Sequence, residues 1–315
     1  SRETTLLVNN LLFTCAAAMV LLGTLYPLLG EAFDLGRISV GPPYFGFMFV
    51  LLMLPVVLLL PFGPVLKWRG ANLGVAARAL APAAAVALIA AATAWLIARD
   101  LPFKALAGVA ASLWVGLGIA LYALARWRSA PRGRRFTPEM LGMISAHFGV
   151  ALFLAGVMSV EATGVEKDVR LAPGQSVEIG ALGFRFDGVT SAEGPNYRAD
   201  QGTISVLKDG AVVATLRPQK RQYARAAPPQ TESAIDPGLF RDLYVALGEP
   251  AGDDGAWAVR IYVKPFVRWI WLGALFMMLG GFVAATDRRF RALPARAEPA
   301  PRPRVAAPDA AAARA

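Results

Sequence analysis

The residue best suited to chemistry in this sequence is its one histidine, His147. It lies inside an apolar run that extends from residue 140 to residue 160. Ionisable side chains are costly to place in a membrane segment and by default mark a functional site there. Imidazole is also a good axial ligand for haem iron. The residues alone leave two interpretations open: His147 is an iron ligand, or it is a neutral histidine hydrogen-bonded to a neighbouring helix.

Other catalytic patterns are missing from the sequence. It has no Walker loop, no GxGxxG after a strand, no HExxH and no GxSxG. Cys15 is the one cysteine, so the chain can form no internal disulfide and no CxxC pair. Asp253 and Asp254 are adjacent carboxylates in a glycine-rich stretch, which indicates a solvated turn and not an acid/base pair. A histidine-based triad would have to use His147, which argues against a self-contained hydrolase.

The composition predicts a membrane protein. The chain is 56% hydrophobic and 17% charged, and its mean hydropathy is +0.48. Apolar stretches of about 20 residues can cross the ~30 Å hydrocarbon layer of a bilayer. Six such stretches are predicted to be transmembrane helices: residues 6–29, 44–62, 79–98, 105–125, 140–160 and 266–286. The expected fold class is therefore a polytopic α-helical membrane protein with about six transmembrane helices and an inserted all-β domain.

The placement of the net charge of +10 predicts the orientation. Basic residues concentrate in alternate connections and after the last span: Lys67, Arg69 and Arg78; Arg126, Arg128, Arg132, Arg134 and Arg135; Arg288, Arg289, Arg291 and Arg296. Because short basic loops stay in the cytoplasm, both termini are expected there and residues 161–264 outside. No basic face interleaved with aromatic residues is present, so no nucleic-acid partner is expected.

The sequence changes character at residue 161. Alternating apolar and polar residues, as in Ser176-Val-Glu-Ile, indicate half-buried strands, and Asp209-Gly210 between two such runs predicts a hairpin. These patterns predict a small antiparallel sandwich or open barrel. The expected domains are a five-helix region (1–160), a periplasmic β domain (161–264), a final transmembrane helix (265–286) and a disordered cytoplasmic tail (287–315).

Several ordered motifs resemble one family over nearly all of residues 1–290. They are Asn9-Asn10-Leu-Leu, Leu22-Gly-Thr-Leu-Tyr-Pro27, Ile38-Ser-Val-Gly-Pro-Pro-Tyr-Phe45, Tyr197-Arg-Ala, Val213-Ala-Thr-Leu-Arg-Pro-Gln-Lys-Arg-Gln-Tyr223, Thr231-Glu-Ser-Ala-Ile-Asp236, Arg241-Asp-Leu-Tyr-Val-Ala-Leu-Gly-Glu249, Lys264-Pro-Phe-Val-Arg-Trp-Ile-Trp-Leu-Gly273 and Gly280-Gly281. Together they resemble the carboxy-terminal half of the CcmF family, the haem lyases of cytochrome c maturation.

This resemblance implies a cofactor for His147. Members of the family hold a haem b between transmembrane helices through two histidines, and the Ala-His-Phe-Gly context of His147 matches the more carboxy-terminal of these. The resemblance thus implies that His147 is an axial ligand of haem iron. The second axial ligand lies outside this chain, because the family's other histidines and its tryptophan-rich haem-handling segment belong to the amino-terminal half. The chain is accordingly expected to be a fragment or a split subunit.

The resemblance also implies a function and partners. The expected protein is a component of a haem lyase of the bacterial inner membrane, not catalytic alone, which helps to join haem to the CxxCH motif of apocytochrome c. The implied partners are the amino-terminal half or a split partner chain, maturation proteins of the CcmH and CcmE types, apocytochrome c, and quinol as electron donor. The alternatives are a paralogue of the NrfE type, which serves a special haem site, and a membrane transporter or anchor without haem.

Overall fold

The structure, a computed structural model, describes residues 1–34, 40–70, 72–131, 136–223 and 228–287. Its helices are α1 (Arg2–Ala32), α2 (Pro42–Leu59), α3 (Phe62–Val65), α4 (Leu73–Ile97), α5 (Phe103–Ser129), α6 (Pro138–Thr163) and α7 (Val267–Ala285). With α2 and α3 taken as one span, six are long and apolar enough to cross a membrane, which confirms the predicted class of fold. Part of the basic segment after α5, and the predicted tail from residue 288, lie outside the described residues.

Helices α6 and α7 are antiparallel, and their backbones touch. Gly142 lies against Gly280, and Gly149 lies against Gly273. A Cβ atom added to Gly142 would lie 2.4 Å from the Gly280 carbonyl oxygen, so no larger residue fits without separating the helices. The spacing of seven residues keeps these glycines on one face of each helix. Small residues of this kind allow close packing inside a membrane, where lipid competes with every apolar contact.

The other spans pack in sequence against this pair. Helix α5 contacts α6 where Gly108 meets Met158 and Gly116 meets Ala151, and α4 packs against α5. Helices α1 and α2 form a hairpin of their own, and the backbone N–H of Arg2 donates to the Lys67 carbonyl 3.2 Å away. That hydrogen bond places the start of α1 at the same end of the bundle as the basic connection between α3 and α4.

The segment between α6 and α7 is a β-sandwich. Its strands are β1 (Val165–Leu171), β2 (Ser176–Ile179), β3 (Leu182–Glu193), β4 (Tyr197–Lys208), β5 (Ala211–Leu216), β6 (Gln219–Tyr223), β7 (Gln230–Glu232), β8 (Ala234–Asp236), β9 (Arg241–Pro250) and β10 (Trp257–Pro265). One sheet has the order β1-β10-β9-β8, and the other has β2-β3-β4-β6-β7 with β5 also paired to β4. All pairs are antiparallel.

The two sheets share one apolar core. Phe184, Phe186, Ile204, Val245 and Ile261 are fully buried between them. The predicted hairpin forms at Asp209 and Gly210, whose φ angles of 51° and 80° suit a tight turn between twisted strands. Of the two architectures that the alternation allowed, the structure is the sandwich.

One residue joins the sandwich to each flanking helix. Gly164 separates α6 from β1, and Phe266 separates β10 from α7. Strands β1 and β10 are paired to each other, beginning with Val165 opposite Val263. The touching helices α6 and α7 therefore continue directly into two neighbouring strands, which leaves little freedom for the sandwich to swing.

Candidate functional site

His147 lies well inside the apolar part of α6. The helix begins after Thr137, whose hydroxyl accepts a hydrogen bond from the Met140 N–H at 3.4 Å, and Pro138 occupies a first-turn position that needs no N–H donor. At 1.5 Å per residue, His147 is about 14 Å along the axis from Pro138. The structure thus places the candidate ligand well inside a candidate membrane span, nearer the end of the bundle that carries Arg126 and Arg128.

One hydrogen bond determines which imidazole nitrogen is available. Nδ1 of His147 lies 2.9 Å from the carbonyl oxygen of Met143, one helical turn earlier. A carbonyl oxygen only accepts, so Nδ1 must carry the hydrogen, and a neutral ring then has its lone pair on Nε2. Such a bond from the other ring nitrogen fixes the tautomer and orientation of a metal-binding histidine. Nε2 of His147 is therefore the ring nitrogen with an available lone pair.

His147 lies on the side of α6 that faces α5, away from the glycine face against α7. It is four residues before Ala151 and eleven before Met158, both of which contact α5, and this spacing puts all three on one helical face. The next residue, Phe148, instead packs its ring against Phe276 of α7, 5.3 Å between centroids. The His147 side chain is half-buried, so the described helices leave part of it accessible.

The part of the chain that the structure describes holds no cluster of side chains typical of a polydentate metal site. Among its residues there is no group of three or more histidine, cysteine or carboxylate side chains that could hold a metal ion. Cys15 is exposed on α1. The site fits one axial ligand of a haem, namely a neutral imidazole with a free Nε2 in an apolar span. With one histidine in the whole sequence, a second imidazole ligand must come from another polypeptide segment.

The adjacent carboxylates Asp253 and Asp254 belong to a turn in which Asp254 forms an ion pair. They lie in the exposed turn between β9 and β10, as the glycine-rich sequence indicates. Arg170 donates to both carboxylate oxygens of Asp254 at 2.5 and 2.6 Å. The hydrogen bond from this guanidinium holds the pKa of Asp254 below its usual range. A carboxylate held ionised in this way stabilises the turn and does not serve as a general base near neutral pH.

The sequence analysis did not identify the polar contacts at the junction of the helices and the sandwich. Lys104, at the start of α5, pairs with Glu161 near the end of α6 at 2.5 Å. Arg268, in the first turn of α7, donates to the buried Asp242 carboxylate at 3.2 Å. The partners are far apart in sequence, so no local spacing could have revealed these pairs. They tie the ends of the spans to each other and to β9.

Six apolar spans and an inserted β-sandwich define a polytopic membrane protein, and its one histidine lies inside one of the spans. A family model described as the CcmF C-terminal beta-sandwich matches residues 162–265. The chain is 44% identical over 294 residues to the cytochrome c-type biogenesis protein CcmF of Pseudomonas aeruginosa, covering 92% of this chain and 45% of that protein. The chain belongs to the CcmF family and corresponds to the carboxy-terminal half of its members.

Two proteins of Haemophilus influenzae, CcmF and NrfE, allow the chain to be compared with two kinds of relative from one organism. The chain is 41% identical to the CcmF of that organism and 31% identical to its NrfE, each over 298 residues, 92% of this chain. Those matches cover 46% and 45% of the two proteins. The chain thus spans about half the length of the curated relatives that it matches.

A solved structure has the same fold. It is titled Cytochrome c Heme Lyase CcmF, and it superposes with a TM-score of 0.73 at 24% sequence identity. The superposition covers 91% of this chain and 46% of that one. The arrangement of spans around an inserted sandwich is therefore shared with a CcmF protein.

Proposed function

We propose that this chain is the carboxy-terminal part of a cytochrome c haem lyase and contributes His147 as one axial ligand of a transmembrane haem b. The observation that carries this proposal is the free Nε2 of His147 at membrane depth, in a chain of the CcmF family. In this role the chain is not catalytic alone. It helps a larger assembly to attach haem to the CxxCH motif of apocytochrome c.

The residues around His147 would hold the ring ready for iron. The Met143 carbonyl keeps the hydrogen on Nδ1 and fixes the plane of the imidazole, while the contacts of Ala151 and Met158 with α5 hold this face of α6 in place. When bound, haem b would supply electron transfer from quinol to the haem that is being attached. The ligand type and the apolar surroundings are the two features by which this chain would set the properties of that iron.

The second axial ligand is proposed to come from the amino-terminal half of the protein or from a split partner chain. The relatives that match this chain are about twice its length, which supports a missing half. Maturation proteins of the CcmE and CcmH types and apocytochrome c are the further proposed partners. The chain is also proposed to divide into a five-helix region (1–160), a β domain (161–264), a last span (265–286) and a tail (287–315).

The chain is proposed to lie in the bacterial inner membrane, with both termini in the cytoplasm and the sandwich in the periplasm. Arg126 and Arg128 end α5 on the side opposite the sandwich, which supports this orientation. It can be tested by cysteine labelling in intact cells, in a Cys15→Ala background. We expect an impermeant reagent to label Lys208→Cys and not Arg128→Cys. The reverse pattern would invert the proposed orientation.

The higher identity to CcmF than to NrfE of the same organism favours the general haem lyase over a paralogue for a special haem site. A transporter or a plain anchor is the remaining alternative. Complementation of a strain that lacks the maturation protein distinguishes these functions, because only a haem lyase restores holocytochrome c.

In that assay the chain, expressed with the amino-terminal half, should restore haem staining of c-type cytochromes, and His147→Ala should abolish it. Added imidazole should restore part of the activity by filling the vacated ligand position. Ser145→Ala is the matched control, since Ser145 lies on the same helix but donates to the Phe276 carbonyl of α7. Full activity of His147→Ala would show that the histidine is a packing residue.

A further inference from the structure

The turn that precedes β9 exposes two large apolar side chains. Residues 237–240, called the apolar turn from here on, connect β8 to β9. Within it Leu239 is 59% exposed and Phe240 is 61% exposed. Scattered apolar residues on a surface need no explanation, but neighbouring large ones mark a contact with a partner or a membrane.

The apolar turn is fastened to the beginning of α7. The backbone N–H of Phe266 donates to the Phe240 carbonyl at 2.8 Å, and the two rings pack edge to face 5.9 Å apart. The buried Asp242 carboxylate accepts from the Gly238 N–H at 2.9 Å and from Nε of Arg268 at 3.2 Å. One carboxylate oxygen thus binds the turn and the first turn of the helix together.

The length of α7 determines where the apolar turn lies. The helix has 19 residues, which is about 28 Å at 1.5 Å per residue. The hydrocarbon layer is ~30 Å thick, so the whole helix is needed to cross it and Val267 must lie at its boundary. Phe240 is hydrogen-bonded to the residue immediately before Val267. The apolar turn therefore lies at the same boundary.

The residues around the apolar turn are those that favour a lipid interface. Arg241 follows the turn directly, and Arg268 and Trp269 occupy the first turn of α7. Arginine suits the headgroup region, and 49% of the Arg268 side chain is exposed. The other end of β9 has the opposite character, because its turn carries Asp253 and Asp254 between glycines. The two ends of this strand are roughly 30 Å apart at about 3.3 Å per residue.

We propose that the apolar turn inserts Leu239 and Phe240 among the lipid acyl chains of the leaflet on the sandwich side. Lipid is the occupant because the turn is hydrogen-bonded to the residue that begins a membrane span, and that span itself exposes large apolar side chains such as Trp271 and Phe282. The sandwich then rests on the bilayer through this turn in addition to its two covalent connections, and its sheets have one fixed tilt. This proposal is independent of haem binding by His147.

The test uses the full chain in phosphatidylcholine nanodiscs, whose two faces are both open to solvent. In a Cys15→Ala background, Leu239→Cys is labelled with an environment-sensitive fluorophore; Leu239 is exposed, so the substitution leaves the fold intact. Asp253→Cys is the matched control at the other end of β9. Each sample is measured with lipids that carry a doxyl quencher near the top of the acyl chain, and separately with iodide in the buffer.

We expect the doxyl lipid to quench the label at position 239 and not at position 253, and iodide to do the reverse. The emission at position 239 should also lie at shorter wavelength than at position 253. Iodide quenching at position 239 without doxyl quenching would show a water-facing turn and overturn the proposal. Protection from both quenchers would show that protein covers the turn, which also overturns it. Labelled Phe240→Cys gives a second position with the same expected outcome.

Discussion

The β-sandwich and the membrane helices of this chain differ in how far each buries its apolar side chains and pairs its polar groups within the chain. In the sandwich, side chains from both sheets close one core, and exposed charges such as Arg170 and Asp254 pair with each other. The helices instead expose long apolar side chains, and Nε2 of His147 has no hydrogen bond from the residues that the structure describes. The sandwich closes its core with its own residues. The proposed site in the helices, in contrast, would be completed by lipid, a cofactor and another polypeptide.

The membrane region is itself uneven. Helices α6 and α7 touch through glycines and hold Ser145 to the Phe276 carbonyl at 3.0 Å. Helix α1 contacts mainly α2 and exposes side chains such as Leu7 and Leu22 to its surroundings. The α6–α7 pair is therefore closely packed and continues into the sandwich, whereas α1 packs against little besides α2 and leaves apolar side chains exposed.

The largest expected effect is on the free energy of unfolding of the sandwich, measured in the absence of the helices. Residues 162–265, expressed alone, should fold and melt cooperatively by circular dichroism. Phe184→Ala, which empties a fully buried position, should lower the free energy of unfolding by about 3–5 kcal/mol. Val212→Ala, at an exposed apolar position of β5, should change it by less than about 0.5 kcal/mol. A disordered spectrum for the unsubstituted segment would remove the contrast between the two regions.

A smaller effect is expected in the helices, where two adjacent glycines provide a matched pair. A Cβ atom on Gly280 would lie 2.5 Å from the Gly142 carbonyl oxygen, whereas one on Gly281 would meet no atom within 4 Å. Gly280→Val should therefore destabilise the chain in detergent by about 1–3 kcal/mol relative to Gly281→Val. Thermal unfolding of the two purified variants measures this difference. Equal stability would mean that the α6 and α7 backbones are not in contact.

The smallest expected effect is on the pH dependence of the stability of the sandwich. Partial burial raises the pKa of Asp187, but hydrogen bonds from Ser205 and Arg185 outweigh it, and the net pKa is lowered. A carboxyl with a depressed pKa in the folded state stabilises the protein above its unfolded pKa of about 3.9, and this contribution is lost as the pH falls through the folded pKa. Asp187→Asn should flatten the acid side of the stability profile, as recorded by urea unfolding. An unchanged profile would assign the acid sensitivity to other carboxyls.

Local patterns predicted much of this fold. Length and hydropathy located all six spans, and alternation placed β2 at residues 176–179 as the structure has it. Strand β1 was not predicted, because it is a highly charged edge strand in which only the last residue is buried. Its sequence is Val165-Glu-Lys-Asp-Val-Arg-Leu171. Alternation also left sandwich and barrel open, since the order of strands in a sheet depends on pairings between distant segments.

The candidate site was predictable in residue type and not in geometry. A lone histidine in an apolar run identifies His147 from the sequence. The bond from Nδ1 to the Met143 carbonyl, which leaves Nε2 available, depends on a side-chain rotamer that no spacing specifies. The hydrogen bonds that the Asp242 carboxylate accepts from Gly238 and Arg268 join β9, a turn and α7. They could be identified only in the folded chain, because these residues belong to different elements.

The most direct test of the central claim, that His147 is one of two axial ligands and the other lies outside this chain, is the spin state of the bound haem. The chain alone should give a weakly bound, high-spin haem by absorbance and electron paramagnetic resonance. The chain purified with the amino-terminal half should give the low-spin spectrum of two imidazoles, and His147→Ala should lose that spectrum while still inserting into the membrane. A low-spin spectrum that survives His147→Ala would contradict the account.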